Sequence, residues 1–235
     1  FGIANNIGIK SALNSKAEYV FLLNQDAKIE PSTIRTLIHS SVENPSFGVL
    51  APIAFNYDGT GLDPHCINYL CNNSCNYLSD LVTNRSSSVY ELPFYPAAAW
   101  LVSASALKQI GGFDPLFFMY GEDFDFAQRA RRAGFKVGLV PHAKYFHHRG
   151  PKPTRANHTY WEYVVWLKGT DSPFLKSLAN IWRESFLRIL RALAYFDLKM
   201  AREVLEALID IHKQLRTIKK HRELCKSGTG VFLER

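Results

Sequence analysis

The sequence predicts an α/β protein whose sheet is mostly parallel and whose C-terminal part is a helical extension. Two observations carry this prediction. Short apolar runs alternate with helix-like segments as far as about residue 140, which is typical of strands joined by helices. After Ser172-Pro173 the alternation stops and long amphipathic patterns follow. Of the 235 residues, 47% are hydrophobic and 13% aromatic, which indicates a globular chain with a sizeable core.

The elements that precede residue 56 follow from local patterns. The apolar run 19–23 ends at Asn24-Gln25-Asp26, which is typical of a buried strand that stops at a polar edge. Proline is favoured in the first turn of a helix. The sequence therefore predicts, in order, a helix at 5–13, a strand at 19–23, a helix from Pro31 to about Glu43, and a strand at 48–55.

Residues 56–92 are rich in Asn, Ser, Asp, Gly and Cys and have weak periodicity. We interpret them as a long insertion or mobile loop, of a length that is usually functional or disordered. Ligands of such sheets bind at the carboxyl ends of the strands, which draws attention to Asp26 and to the tandem His147 and His148. Regular patterns return as a strand at 97–103, a helix at 104–110, and a strand at 136–140 that Pro141 closes.

An acidic stretch between these strands is the strongest sign of chemistry. Glu122, Asp123 and Asp125 directly follow an aromatic and glycine-rich segment. Helix-forming residues continue to Gly134, so the acids fall in the first turn, where the helix dipole stabilises negative charge. Burying them beside an apolar wall costs on the order of several kcal/mol unless a metal, a proton or a substrate compensates. The alternative is that the acids only cap and balance the helix, with Asp125 paired to Arg129.

The C-terminal part carries the whole charge excess. Residues 1–150 contain 12 Lys/Arg and 12 Asp/Glu, whereas residues 151–235 contain 16 and 9, a net charge of +7. A basic amphipathic hairpin, its second helix capped by Asp197, could lie on an anionic membrane surface or pack on the domain with a solvated basic face. Binding to nucleic acid is not expected, because the helices lack interleaved aromatic stacking platforms. The apolar stripes are Leu178, Ile181, Trp182, Phe186, Ile189, Leu190 and Leu193, broken by Ser185, and then Val204, Leu205, Leu208, Ile211, Leu215 and Ile218.

Four segments, in this order, resemble those of family 2 glycosyltransferases with the GT-A (Rossmann-like) fold, of the kind that builds bacterial surface polysaccharides and is often called rhamnosyltransferase. The resemblance implies a partial GT-A catalytic domain over 1–150, incomplete at its N-terminus and carrying the insertion 56–92, with a basic helical extension over 151–235. The usual Asp-x-Asp of the family is Asn24-x-Asp26 here, and the insertion has no counterpart. The segments are 1–9, 22–26, 111–129 and 141–148.

The roles of individual residues are implied by this resemblance. Asp26 is expected to bind a divalent metal, Mg²⁺ or Mn²⁺, with His147 favoured over His148 as a further ligand. Asp123 is expected to be the general base, and Glu122 is the alternative. Aromatic residues, Trp100 among them, could stack on the acceptor sugar or belong to the core, and we favour the core for Phe113 and Phe117. The positions expected to bind substrate are Asn5, Asn6, Asn24, Trp100 and Asp125.

The implied reaction moves a sugar from a nucleoside-diphosphate-sugar to a hydroxyl of a saccharide or lipid-linked acceptor. Direct displacement with one base predicts inversion at the anomeric carbon, and the resemblance places the reaction in cell-surface polysaccharide synthesis. The expected location is cytoplasmic, with peripheral contact at the inner face of the cell membrane. The other hypothesis is a non-catalytic binding or scaffold module derived from a truncated glycosyltransferase.

Overall fold

The computed structural model describes residues 1–148, 158–227 and 231–233. The predicted boundary near residue 150 lies outside these ranges. The described elements, in chain order, are α1 Gly2–Asn14, β1 Tyr19–Leu23, β2 Ala27–Ile29, α2 Thr33–Glu43, β3 Phe47–Asn56, α3 Pro64–Asn73, α4 Cys75–Val82, β4 Tyr90–Leu92, β5 Ala99–Ser103, α5 Ala104–Ile110, α6 Glu122–Arg132, β6 Lys136–His147, α7 His158–Lys168, α8 Phe174–Ala194 and α9 Leu198–Ser227.

The strands form one sheet in the order β1-β5-β3-β6-β2, with β4 also paired to β6. The α/β prediction is confirmed, but the expected predominance of parallel pairing is wrong for the described strands. Only β3 and β6 pair in parallel, and the other four ladders are antiparallel. The two ladders that β5 forms, with β1 and with β3, are antiparallel because β5 enters the sheet at the edge where β3 ends. An alternation of strands and helices does not specify at which edge the chain re-enters.

One edge of the sheet collects the polar strand ends. The strands β1, β3 and β6 run in one direction, so their carboxyl ends lie together, and β5 begins at the same edge. Leu23 pairs with Ala99 there, and the Asn24 N–H donates to the Ala98 carbonyl at 2.9 Å. This edge therefore holds Asp26 after β1 and His147 at the end of β6.

Strand β6 continues through Pro141, where we expected it to end. The β3–β6 ladder has an irregularity between Pro52 and Ile53, across which the β6 partner changes from Val140 to Lys144. Pro141 thus lies in the unpaired part, where a missing N–H costs no ladder hydrogen bond. The bulge carries the strand on to His147 and brings that side chain to the polar edge.

The insertion 56–92 is not the long loop that we expected. It contains α3, α4 and β4, and it contributes Cys66, Leu70 and Tyr77 to the main core. Asp63 caps α3 by accepting hydrogen bonds from the N–H groups of His65 and Cys66, with Pro64 in the first turn. Asp followed by Pro is a helix start signal, and the polar composition of the segment concealed it.

The helices α7, α8 and α9 pack around a second core that Phe117 of the α/β part joins. The sequence did not predict α7, because its aromatic and β-branched residues favour strands. The Asp197 cap of α9 is confirmed by a 3.0 Å hydrogen bond from the Met200 N–H. None of the described helices combines the length and the apolar character that crossing a bilayer requires.

The apolar stripe predicted for α8 is only partly buried. Ile181 is in the second core, but Trp182 and Phe186 are exposed. Ser185, expected to break the stripe, is buried and donates a hydrogen bond to the Tyr163 hydroxyl at 2.7 Å. Three of the four buried residues of α8 are small, namely Ser177, Ser185 and Ala192. A second apolar face of α8 is left on the surface.

Two consecutive glycines hold the C-terminal segment against the α/β part. Gly111 has φ 79° and ψ −158°, a conformation that is essentially restricted to glycine. A Cβ at Gly111 would overlap the Val231 backbone, and one at Gly112 would lie 2.8 Å from Leu233 Cδ2. The Gly112 N–H donates to the Val231 carbonyl at 2.8 Å. The double glycine is therefore a docking position for residues 231–233.

We expect Gly111→Ala to lower the free energy of unfolding by about 1–3 kcal/mol, because it adds backbone strain and displaces Val231. Chemical denaturation with urea measures this change. Gly8→Ala is the matched control, because a Cβ at Gly8 in α1 has no atom within 4 Å and alanine favours the helix by about 0.5–1 kcal/mol. Equal stability of the two variants would contradict the docking role of Gly111.

Candidate active site

Asp26 and His147 meet at the polar edge of the sheet. Asp26 lies in the short turn between β1 and β2, and His147 pairs with Ala27 across the β2–β6 ladder. The His147 Nε2 atom is 3.3 Å from Asp26 Oδ1. The imidazole is buried, whereas the carboxylate is open to solvent on one side. The fold thus places one carboxylate oxygen and one imidazole nitrogen next to each other at the polar edge.

This pair fits a divalent cation as part of its ligand set. Two ligands at about 2.1 Å from an ion, at a right angle to each other, lie about 3 Å apart, close to the 3.3 Å separation of these two atoms. Carboxylate and imidazole both suit Mn²⁺. Within the described ranges no three His, Cys, Asp or Glu side chains form a metal-binding group. Asp26 and His147 would therefore hold the ion together with ligands from outside that group, such as phosphate oxygens.

His148 is not brought to Asp26 by its side chain. Its ring is exposed and packs edge-on against Tyr57, with the ring centroids 5.1 Å apart. Its backbone N–H donates to the Asp26 carbonyl at 2.8 Å. Of the two tandem histidines, only His147 points its ring toward the Asp26 carboxylate, so the ligand role predicted for His148 is not supported by this geometry.

The acidic helix α6 begins at a sharp turn. Tyr120 and Gly121 both have positive φ, 71° and 92°, and Gly121 is the N-cap. A side chain at Gly121 would press against Phe117, at 3.0 Å from Cε1. Left-handed backbone at a non-glycine residue is strained and is common at functional sites. This sharp bend places Glu122 and Asp123 in the first turn of α6, where the helix dipole stabilises carboxylates.

Asp123 is connected directly to the polar edge. Its Oδ2 accepts a hydrogen bond from the Ala97 N–H at 3.3 Å, and its Oδ1 accepts one from the Phe124 N–H at 2.8 Å. Burial of the carboxylate raises the pKa of Asp123, and the two N–H groups offset part of that rise. Ala97 directly precedes Ala98, which bonds Asn24. Asp123 therefore lies beside the strand end that leads to Asp26.

Glu122 is buried beside Asp123. Burial and the charge of the Asp123 carboxylate raise the pKa of Glu122 to about 7. Its Oε2 atom has no hydrogen-bond partner among the described residues. A buried carboxyl of this kind exchanges its proton near neutral pH, which suits acid–base chemistry.

An aromatic groove opens next to this turn. The cavity has a volume of about 270 Å³ and is lined by Tyr120, Phe124, His158, Trp161 and Trp166, with Glu162 at its side. Its far wall belongs to α7, so the helical extension contributes to the groove. Aromatic faces with a few polar groups are typical of small-ligand sites. The groove lies within one residue of Asp123 along the chain, because Phe124 lines it.

Three residues expected to bind substrate have structural roles instead. Trp100 is completely buried and stacks with Phe113 in the main core, with the ring centroids 6.4 Å apart. The Asn6 side chain donates a 2.7 Å hydrogen bond to the Phe113 carbonyl and accepts a second 2.7 Å hydrogen bond from the Phe113 N–H. Asp125 is buried in an ion-pair network. These predictions are corrected, and the preference for Phe113 in the core is confirmed.

The other two asparagines stay open to solvent on at least one side. Asn5 bonds back to the Phe1 carbonyl on the surface of α1. Asn24 is half-buried at the end of β1, and its backbone joins the Ala98 carbonyl. Asn24 thus belongs to the polar edge, whereas the structure gives no contact between Asn5 and that edge.

A buried ion-pair network lies behind α6, and only its Asp125–Arg129 pair could be predicted from the sequence. The Lys168 ammonium of α7 bonds Asp125 and is 2.6 Å from Asp114 Oδ2. Arg129 binds Asp125 at 2.9 Å, which confirms the predicted pair. His221 of α9 binds Asp114 Oδ1 at 2.6 Å. Burial alone would raise the pKa of Asp114. The hydrogen bond from His221 and the charge of Lys168 outweigh burial and lower this pKa to about 2.

The comparisons with known proteins agree with the sequence resemblance. The model of the family described as glycosyl transferase family group 2 matches residues 20–195. An N-acetylglucosaminyl-diphospho-decaprenol L-rhamnosyltransferase of Mycobacterium tuberculosis is 27% identical over 156 residues, covering 56% of this chain and 47% of that protein. A low-salt glycan biosynthesis hexosyltransferase of Haloferax volcanii is 26% identical over 183 residues, covering 75% and 59%. The chain spans about half the length of the curated relatives it matches.

A solved structure supports the fold. The crystal structure of GalNAc-T7 with UDP, GalNAc and Mn²⁺ superposes with a TM-score of 0.55 at 13% identity, covering 98% of this chain and 41% of that one. At this identity the likeness concerns the fold alone. It confirms the predicted GT-A class.

Proposed function

Because the chain belongs to glycosyl transferase family group 2, we propose that it works in a glycosyltransferase that moves a sugar from a nucleoside-diphosphate-sugar to an acceptor hydroxyl. The matched relatives are named as rhamnosyl- and hexosyltransferases, which supports a hexose or a deoxyhexose as the transferred group. The proposed division is a catalytic part over 1–150 and a helical part over 151–235.

The observation that carries this proposal is the connection of Asp123 to the strand edge of Asp26. The Asp123 carboxylate accepts from Ala97, and the neighbouring Ala98 bonds Asn24, two residues before Asp26. A short run of backbone thus links Asp123, a carboxylate of raised pKa, to Asp26 and His147, two side chains that can ligate a metal ion. Sugar transfer needs both, since the leaving diphosphate must be stabilised and the acceptor hydroxyl must lose its proton.

On the donor side, Asp26 and His147 are the proposed holders of Mg²⁺ or Mn²⁺. The cation would neutralise charge on the diphosphate of the donor. Asp26 is the exposed member of the pair and is thus accessible to a nucleotide. The solved structure that this chain superposes on is described with UDP, GalNAc and Mn²⁺, which supports the choice of ligand class.

On the acceptor side, Asp123 is the proposed general base. It accepts the proton of the acceptor hydroxyl while the oxygen attacks the anomeric carbon, and the bond to the diphosphate breaks on the opposite face. A single displacement of this kind inverts the anomeric configuration. Glu122, with its pKa of about 7, is the alternative base. The aromatic groove next to Phe124 is the proposed position of the acceptor sugar, because aromatic faces pack well on the apolar faces of sugar rings.

The wider setting is also part of the proposal. A saccharide or lipid-linked acceptor in cell-surface polysaccharide synthesis is supported by the relative that is named for a diphospho-decaprenol acceptor. The proposed location is cytoplasmic, at the inner face of the cell membrane.

We expect Asp26→Ala to weaken Mn²⁺-dependent binding of nucleoside diphosphate by at least about tenfold, because even groups that only orient metal ligands contribute about 10–100-fold. Calorimetric titration with UDP, GDP and dTDP, with and without Mn²⁺, measures this effect. Asp210→Ala on the exposed surface of α9 is the control and should bind as the wild type does. Unchanged affinity in Asp26→Ala would refute the metal role. Failure of the wild type to bind any nucleotide would favour the non-catalytic scaffold hypothesis.

A further inference from the structure

The turn between α8 and α9 exposes three apolar side chains. Tyr195, Phe196 and Leu198 are 84%, 89% and 69% exposed. We call these three residues the hairpin tip. The Phe196 backbone has φ 55°, a costly conformation for an aromatic residue. The turn is nevertheless fixed, because the Asp197 N–H donates to the Ala192 carbonyl at 2.8 Å and the Asp197 carboxylate caps α9. The tip is thus held outward by an ordered turn.

An apolar face adjoins the hairpin tip. The Trp182 ring lies 5.2 Å from the His212 ring, which places the exposed sides of α8 and α9 next to each other. The exposed apolar residues follow helical spacing from this contact toward the tip, so they share one side of the hairpin. The opposite side is already used to pack on α7. The exposed set is Trp182, Phe186, Leu190 and Leu193 on α8, with Leu205 and Ile209 on α9.

Positive charge surrounds this surface. Residues 174–220 contain ten Lys/Arg and five Asp/Glu, a net charge of +5. Near the hairpin tip, the exposed Arg191, Lys199 and Arg202 are balanced by Asp197, Glu203 and Glu206, so the excess of positive charge lies along the rest of the hairpin, as at Lys213, Arg216, Lys219 and Lys220. Basic residues near an anionic lipid surface strengthen binding to it. A second copy of this chain would instead bring two sets of like charges together, which is unfavourable.

We propose that the hairpin tip and the adjoining apolar face insert into the headgroup region of an anionic lipid bilayer. The aromatic and aliphatic side chains enter the boundary between headgroups and acyl chains, and the flanking cations contact lipid phosphates. The hairpin lies at the interface and does not cross it. The α7 wall of the aromatic groove packs against α8 and α9 on the side opposite the inserting face, so the hairpin would lie between α7 and the lipid.

Co-sedimentation with vesicles tests this proposal on the natural protein. The wild type should bind vesicles of phosphatidylcholine with 30% phosphatidylglycerol at least about tenfold more strongly than vesicles of phosphatidylcholine alone. The double change Tyr195→Ser and Phe196→Ser should reduce binding to the anionic vesicles at least about tenfold. Arg191→Glu with Lys199→Glu should remove the preference for anionic lipid. Val82→Ser, which changes an equally exposed apolar residue of α4, is the control and should bind as the wild type does.

Three outcomes would overturn the proposal. They are equal binding of the wild type to both vesicle types, an unchanged affinity in the tip variant, and a dimer in sedimentation velocity that the tip variant converts to monomer. The last outcome would assign the face to a second copy. Because the tip residues are exposed, circular dichroism should show the variants fully folded. Vesicle binding is measured without donor or acceptor, so its failure is distinguishable from failure of the proposed sugar transfer.

Discussion

Replacing Asp123 by Asn is expected to lower the rate of sugar transfer by about 10²–10⁴-fold, the usual contribution of a general base. Asparagine keeps the size of the side chain, but its single amide oxygen can accept only one of the two hydrogen bonds that Asp123 receives from the Ala97 and Phe124 N–H groups. It also cannot take a proton from the acceptor. Nucleotide binding should be nearly unchanged, since Asp26 and His147 are untouched. Release of nucleoside diphosphate in the presence of acceptor measures the rate.

The pH dependence of the Asp123 variant adds a second readout. A base acts only when ionised, so the wild-type rate should fall as the pH drops through the pKa of Asp123, which burial places above the ordinary value of an aspartate. The Asn variant should lose this acid limb. Asp210→Asn on α9 is the matched control. If Asp123→Asn retains the wild-type rate while Glu122→Gln loses it, the assignment is wrong and Glu122 is the base.

The residues that could be predicted from the sequence are those whose signals are local. An apolar run followed by Asn24-Gln25-Asp26 predicts a strand that ends at a polar edge, and this prediction does not depend on contacts with the rest of the chain. Acids before a helix-forming run specify the first turn of α6. Both features lie within about ten consecutive residues, so no long-range information is needed. Asp26 and His147 lie at the same edge because β1 and β6 run in the same direction.

The features that could not be predicted depend on partners far away in the chain. Asn6 was expected to bind substrate, but its side-chain amide donates a hydrogen bond to the carbonyl of Phe113, 107 positions later in the chain. Asp114 lies in the aromatic and glycine-rich segment before α6, yet its partner His221 is equally distant in the chain. Periodicity gave the helical character of α8, but not which of its two apolar faces is buried. The buried face carries Ser185, whose hydroxyl bonds to Tyr163 of α7, and a pattern of hydrophobic residues does not indicate such a partner.

Replacing Lys168 by Met is expected to destabilise the protein by about 3–5 kcal/mol, the usual cost of leaving a buried charge without its partner. Lys168 is the cation between the Asp114 and Asp125 carboxylates, and all three side chains are buried. Arg129 would still neutralise Asp125, but Asp114 would keep only the hydrogen bonds from the His221 ring and the Leu116 N–H among the described residues. Urea unfolding at pH 7 measures the loss. Lys213→Met, at an exposed pair on α9, should change stability by less than about 0.5 kcal/mol.

The pH dependence of stability follows from the same network. The folded-state pKa of Asp114, about 2, lies below its ordinary value of 3.8. The stability it contributes is therefore present above about pH 4 and is lost as the pH falls toward 2. Lys168→Met should reduce this contribution. Adding Asp114→Asn to Lys168→Met should cost less than the sum of the two single changes, because the second change removes the uncompensated charge. Additive losses, or a Lys168→Met protein as stable as Lys213→Met, would show that the Lys168 network does not stabilise the attachment of the helices to the α/β part.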